Sequence, residues 1–99
     1  MSYTLQIHPK ATKELKDSTV WYENRLEGLG NRFFAAVNKR VLEIALHPKR
    51  YPIKHKNYRE VGIDIFPFII IYQVFEEDQI VLITYIFHNK QDPEMKYLR

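Results

Sequence analysis

The chain opens on a strict alternation. Tyr3, Leu5 and Ile7 are apolar, and Thr4, Gln6 and His8 between them are polar. A period of two predicts a half-buried strand. Pro9 ends it, and proline suits the first turn of a following helix. Over residues 9–26 the period lengthens. Ala11, Leu15, Ser18, Tyr22 and Leu26 fall on one stripe, and Lys13, Lys16, Asp17 and Glu23 lie off it. This predicts an amphipathic helix. Gly28 and Gly30 interrupt the pattern. A second helix is predicted over residues 31–46, with Phe33, Phe34, Val37, Val41, Ile44 and Ala45 as its apolar face and His47-Pro48 as its stop. The short, glycine-bearing connection makes the two helices an antiparallel hairpin.

Residues 47–57 read HPKRYPIKHKN, a loop by its two prolines and its cations. The period then returns to two. One strand is predicted over residues 58–65, with Val61, Ile63 and Ile65 on one face. A second covers residues 69–75 and a third residues 79–87. Glu76-Glu77-Asp78 is a tight polar turn, so the last two strands form an antiparallel hairpin. The order is β-α-α-β-β-β. Helices and strands are segregated, which makes the class α+β: a helical hairpin packed on an antiparallel sheet, in a single domain over residues 1–99.

The last two strands are apolar on both faces. Phe68, Ile70, Tyr72 and Val74 alternate with Ile69, Ile71 and Phe75. Ile80, Leu82 and Ile86 alternate with Val81, Ile83, Tyr85 and Phe87. A one-sided antiparallel sheet carries polar residues on its wet face. Two helices cover one face only, so the other is expected to present an apolar patch for a partner. The competing expectation is that the polar tail, residues 88–99, or the basic loop folds back over it.

Composition narrows the class. Ninety-nine residues with 45% hydrophobic content suffice for one small core. The absence of cysteine removes disulfide and thiolate chemistry. The N-terminal residues Met1 to Gln6 show no basic stretch followed by an apolar run, and no apolar stretch is long enough to span a bilayer. The expected location is the cytoplasm. The net charge of +3 permits a nucleic acid or an acidic protein as partner without requiring either.

Six segments in order carry a family likeness: Trp21-Tyr22-Glu23, Leu29-Gly30-Asn31-Arg32-Phe33, His47-Pro48-Lys49-Arg50-Tyr51-Pro52, Tyr58-Arg59, the run Phe66 to Tyr72, and the run Phe87 to Pro93. Together they resemble the RelE/ParE superfamily of toxins from type II toxin–antitoxin systems, also called plasmid stabilization proteins. The likeness covers nearly the whole chain. It implies a toxin neutralised by a cognate antitoxin that wraps it in a hetero-oligomer. Ile70, Tyr72, Ile80 and Leu82 are the residues expected to meet that antitoxin, on a sheet face that the sequence leaves open.

The resemblance implies one of two activities. RelE-like members cleave mRNA on the ribosome without a metal, and ParE-like members inhibit DNA gyrase. Metal-free RNA cleavage needs a base, an acid and cations around the phosphate. Arg59 and His88 are the catalytic candidates if the chain is a nuclease. Lys54, Lys56, Arg59, Lys90 and Tyr97 are the candidates for holding nucleic acid or another target. Each has a structural alternative. The Arg59 stem shares parity with Val61 and its head has Glu60 or Asp64 nearby. His88 suits a cap at the strand end. Lys54 and Lys56 suit a solvated loop. His8, His47 and His55 lack metal-ligand spacing, and no cofactor is expected. Lys90-Gln91 stands where many members carry arginine, and lysine lacks the bidentate fork. That departure, the sparse cationic surface and the long helical hairpin favour the ParE-like activity. An inactive or generic interaction module is the third reading.

Overall fold

The computed structural model describes residues 3–99; Met1 and Ser2, part of the N-terminus read above, lie outside them. Strand β1 (Thr4–Ile7) leads into helix α1 (Pro9–Arg25) and helix α2 (Leu29–Leu46). Strands β2 (Ile53–His55), β3 (Tyr58–Gly62), β4 (Phe68–Phe75) and β5 (Ile80–His88) follow, then a short 3-10 turn at Pro93–Met95. The five strands form one sheet in the order β1-β5-β4-β3-β2.

Local chemistry sets the helix ends. His8 is the N-cap of α1, its Nδ1 accepting the Lys10 amide at 3.0 Å, and Pro9 fills the first turn. Gly28 turns the chain with a φ of 86°, which side chains rarely adopt. The Glu23 carboxylate then accepts the amides of Gly28 and Gly30 at 2.9 Å each, satisfying donors that open α2. Gly30 also packs tightly on α1: a Cβ there would lie 2.7 Å from the Thr19 carbonyl oxygen.

The sheet departs from expectation in two places. It is mixed rather than antiparallel, because β1 runs parallel to β5, with Thr4 opposite Ile80 and Ile7 opposite Ile83. No tight turn joins these strands. The helical hairpin and strands β2–β4 all lie between them, and a connection of that length permits parallel pairing. The basic segment read as a loop also contains β2, which pairs antiparallel with β3 through Ile53–Arg59 and His55–Tyr58. Lys56, with a φ of 50°, makes the reversal tight.

The helices bury one sheet face. Phe33, Val37 and Ile44 of α2 and Ala11 of α1 pack on Phe68, Ile70, Tyr72, Val81 and Ile83. Tyr22 joins them, its ring 5.0 Å from Phe33 and 4.9 Å from Phe66. Three residues read as core stand outside it: Leu26, Phe34 and Ile65 are 60%, 47% and 83% exposed. Strand β3 ends at Gly62, and Ile65 has a φ of 71°, so the chain has already turned out of the sheet there.

A bulge divides β5. Ile71 lies opposite Tyr85 but Tyr72 lies opposite Ile83, which leaves Thr84 as an extra residue. The parity flips across it. Ile86 therefore points to the helices with Ile83, whereas Tyr85 and Phe87 point the other way. The sequence pattern had placed Ile86 on one face with Ile80 and Leu82.

The expectation that the second face stays open is overturned by the tail. Tyr58, Ile71, Tyr85 and Phe87 form a second buried cluster against Tyr97. The Tyr85 hydroxyl accepts the amides of Leu98 at 2.7 Å and Arg99 at 3.0 Å, and the Tyr58 hydroxyl donates to the Arg99 carbonyl at 2.6 Å. The tail is polar by composition, but its cover is made of stems and rings. Arg99 lies 4.0 Å over the Tyr85 ring, Lys96 lies 5.3 Å over Phe87, and Tyr97 stacks on His55 at 4.5 Å.

Candidate functional site

The two catalytic candidates sit at different heights on the sheet. Arg59 pairs across the ladder with Tyr72, and Tyr72 with Ile83. His88 pairs with Phe68 at the far end of β4. Those rungs lie four residues apart along β4, a rise of roughly 13 Å.

Each candidate already has work within the fold. Arg59 Nη1 donates to the Tyr51 carbonyl at 2.7 Å and the Lys49 carbonyl at 3.3 Å. It does not pair with Glu60 or Asp64, because it points to the helix side of the sheet, where the loop after α2 offers bare carbonyls. The Tyr72 hydroxyl secures the same loop by donating to the Pro48 carbonyl at 2.6 Å, and burial pushes that phenol up to about 12. His88 caps the end of β5: its Nδ1 accepts the Lys90 amide at 3.0 Å, and its ring stands edge-on to Phe68 at 4.8 Å.

The target-binding candidates fall into two groups. Lys54 and Lys56 are exposed on the β2–β3 hairpin, and Tyr97 lies against His55 of the same hairpin. His55 takes one face of the Tyr97 ring, Tyr58 flanks it at 5.1 Å, and its hydroxyl bonds to Glu60. Burial, then Glu60, pushes its phenol up to about 12, so it keeps its proton at neutral pH. Lys90 stands apart, beyond β5, on the rim of a groove it shares with His88.

The four residues expected to meet an antitoxin divide as well. Ile70 and Tyr72 are fully buried beneath the helices and present no surface to a partner. Ile80 and Leu82 lie on the opposite face, opposite Phe75 and Gln73, and remain half-buried. Alternation alone could not say which parity faces the helices, because both are apolar.

Other apolar surface was missed. Among the described residues, the outer edge of β1 has no strand beside it, and its Leu5 and Ile7 are 36% and 43% exposed. Phe34, Leu42 and Leu46 follow one another at multiples of four residues on the solvent side of α2, with Val20 of α1 beside Phe34. That second stripe was visible as helical spacing but was masked by the stronger core stripe. Among the described residues, no group of three His, Cys, Asp or Glu side chains is placed to hold a metal ion.

A family model described as the ParE toxin of the type II toxin–antitoxin system, parDE, matches residues 5–93. The chain belongs to the ParE toxin family.

Solved structures place this ParE-family chain in the same fold. It is similar to the chromosomal ParDE TA system from P. aeruginosa, with TM-score 0.73 at 16% identity over 87% of this chain and 95% of that one. It is similar to the intact E. coli RelBE toxin–antitoxin complex, with TM-score 0.69 at 16% identity over 90% and 99% of the two chains. The RelE–RelB complex from Pyrococcus horikoshii OT3 follows with TM-score 0.59 at 13% identity over 93% and 100%. No curated protein matches. As a ParE-family member the chain is a type II toxin, and among its described residues no helix is long and apolar enough to cross a membrane.

Proposed function

We propose that this ParE-family toxin arrests growth by binding DNA gyrase in the cytoplasm, and that a cognate antitoxin neutralises it in a hetero-oligomer. One observation carries the choice of gyrase over the ribosome. Arg59 and His88, the pair on which RNA cleavage would depend, lie on distant rungs and are each committed to holding backbone groups. A metal-free nuclease needs its base, acid and cations converging on one phosphate.

For the antitoxin, the supporting feature is the unpaired edge of β1. It carries no charge or proline over Thr4–Ile7, the devices that usually discourage strand addition. An antitoxin strand added there would cover Leu5 and Ile7 on one side and reach toward Ile80 and Leu82 on the other.

The test is a purified gyrase supercoiling assay beside a translating extract programmed with a defined mRNA. The expected result is lost supercoiling with the mRNA intact. Cut mRNA that becomes intact on His88→Gln, with supercoiling untouched, would overturn the proposal in favour of a ribosome-dependent endoribonuclease.

A further inference from the structure

Strand β1 pairs with β5 only as far as Ile83, and β5 runs on to His88. Beyond Ile83 the outer edge of β5 is bordered by α1 instead, and a groove of about 580 Å³ lies between them. Its floor is Phe68 and Ile86, and its walls include Tyr22 and Trp21. Trp21 is 53% exposed. Its ring stands edge-on to Tyr22 at 5.1 Å and leaves apolar surface beside the groove.

Two observations define what fits. The first concerns backbone. The outward amide of Ile86 is taken by Glu14 Oε1 at 3.0 Å, that of His88 by Gln91 Oε1 at 3.0 Å, and the Thr84 carbonyl by Arg99 Nη1 at 2.9 Å. An added strand would have to displace all three. An occupant therefore enters by a side chain.

The second concerns charge. Both carboxylates of the groove are matched internally, Glu14 by Arg99 at 2.7 Å and Asp17 by Lys13 at 2.6 Å. Lys90 on the rim, and Arg25, which lies 4.3 Å over the Trp21 ring, have no carboxylate within ion-pair distance among the described residues. The uncompensated charge is positive.

We propose that this groove is a docking site for a partner protein segment that inserts one aromatic or long aliphatic side chain beside Trp21 and carries carboxylates for Arg25 and Lys90. It lies at the opposite end of β5 from the β1 edge and stands whether or not gyrase is the target. Arg25 over Trp21 and the lysine rim also suit a single-stranded nucleic acid, so the test includes one.

Trp21 is the only tryptophan, so its emission reports occupancy directly. The full chain is panned against a displayed library of random twelve-residue peptides, and the selected peptides are titrated in solution. The expected result is convergence on an apolar anchor with acidic neighbours, a shift in Trp21 emission on binding, and at least tenfold weaker binding to Lys90→Glu and to Ser18→Phe, which fills the groove from its α1 wall without adding a tryptophan. Lys90 is exposed, so its variant folds as the parent does, and circular dichroism checks both. Peptides that leave Trp21 emission and both variants unaffected would place binding elsewhere and sink the proposal. So would failure to converge, convergence on basic peptides, or saturable quenching by oligouridylate alone.

Discussion

The Arg99 guanidinium grips the Glu14 carboxylate with both nitrogens, Nη1 at 2.8 Å and Nη2 at 2.7 Å, across the edge of β5. The pair ties the tail on one sheet face to α1 on the other. Both side chains are largely buried, 15% and 22% exposed, and Glu14 also holds the Ile86 amide. Glu14→Ala leaves the Arg99 guanidinium with the Thr84 carbonyl alone and the Ile86 amide without its acceptor. The expected loss is about 2–3 kcal/mol of stability, read as a lower denaturant midpoint. An unchanged midpoint would mean that solvent replaces the carboxylate at little cost.

Gly30 sets the distance between the helices. Alanine there puts a methyl group 2.7 Å from the Thr19 carbonyl and 2.9 Å from Glu23 Cβ, so the hairpin must spread. Gly30→Ala is expected to cost about 1–3 kcal/mol, although alanine is the better helix former. A gain in melting temperature would show that α2 shifts freely.

Ile65 holds a left-handed φ of 71° at 83% exposure, so its side chain returns little packing for the strain. Ile65→Gly is expected to raise stability by up to about 1 kcal/mol, measured by chemical denaturation. A clear destabilisation would assign the side chain a contact within the fold.

Arg59→Ala removes the donor that holds the Tyr51 and Lys49 carbonyls. It is expected to cost about 1–2 kcal/mol and to loosen the loop, read as faster amide exchange over residues 47–52. A variant with full stability and lost toxicity would return Arg59 to the list of functional groups.

Alkaline pH should unfold the protein through its phenols. Burial raises Tyr22 and Tyr58 above the ordinary 10.0, and Tyr72 and Tyr97 are pushed up to about 12. These groups ionise later folded than unfolded, so their contribution is complete below pH 10 and is lost as the pH rises toward 12. Absorbance at 295 nm should lag and then step together with loss of ellipticity. In denaturant, all seven tyrosines should titrate near 10. A smooth native titration centred on 10 would contradict this.

The helices were legible because each carries a stripe at one period and a residue that stops it. His47-Pro48 ends α2 within a residue of the predicted boundary. The faces of the sheet were not. Thr84, whose bulge reverses the parity of β5, is an ordinary strand residue in sequence, and only the pairing register reveals its role. The lid was hidden for a related reason. Tyr97 and Arg99 cover the second face with a ring and a stem, which composition counts as polar tail. His88 was readable as a strand cap because its partner is two residues away. Arg59 was not, because its partners are backbone carbonyls eight and ten residues off, which no side-chain pattern announces.

The parallel pairing of β1 with β5 has a consequence for the order in which the chain matures. Nothing near β1 in sequence can complete its ladder, since Thr4 finds its neighbour only at Ile80. The helical hairpin can form while the ribosome is still translating, but the first strand must wait until almost all of the polypeptide has been made. Contacts that distant close slowly. A nascent chain therefore spends most of its synthesis with β1 unpaired and its apolar strands incompletely covered.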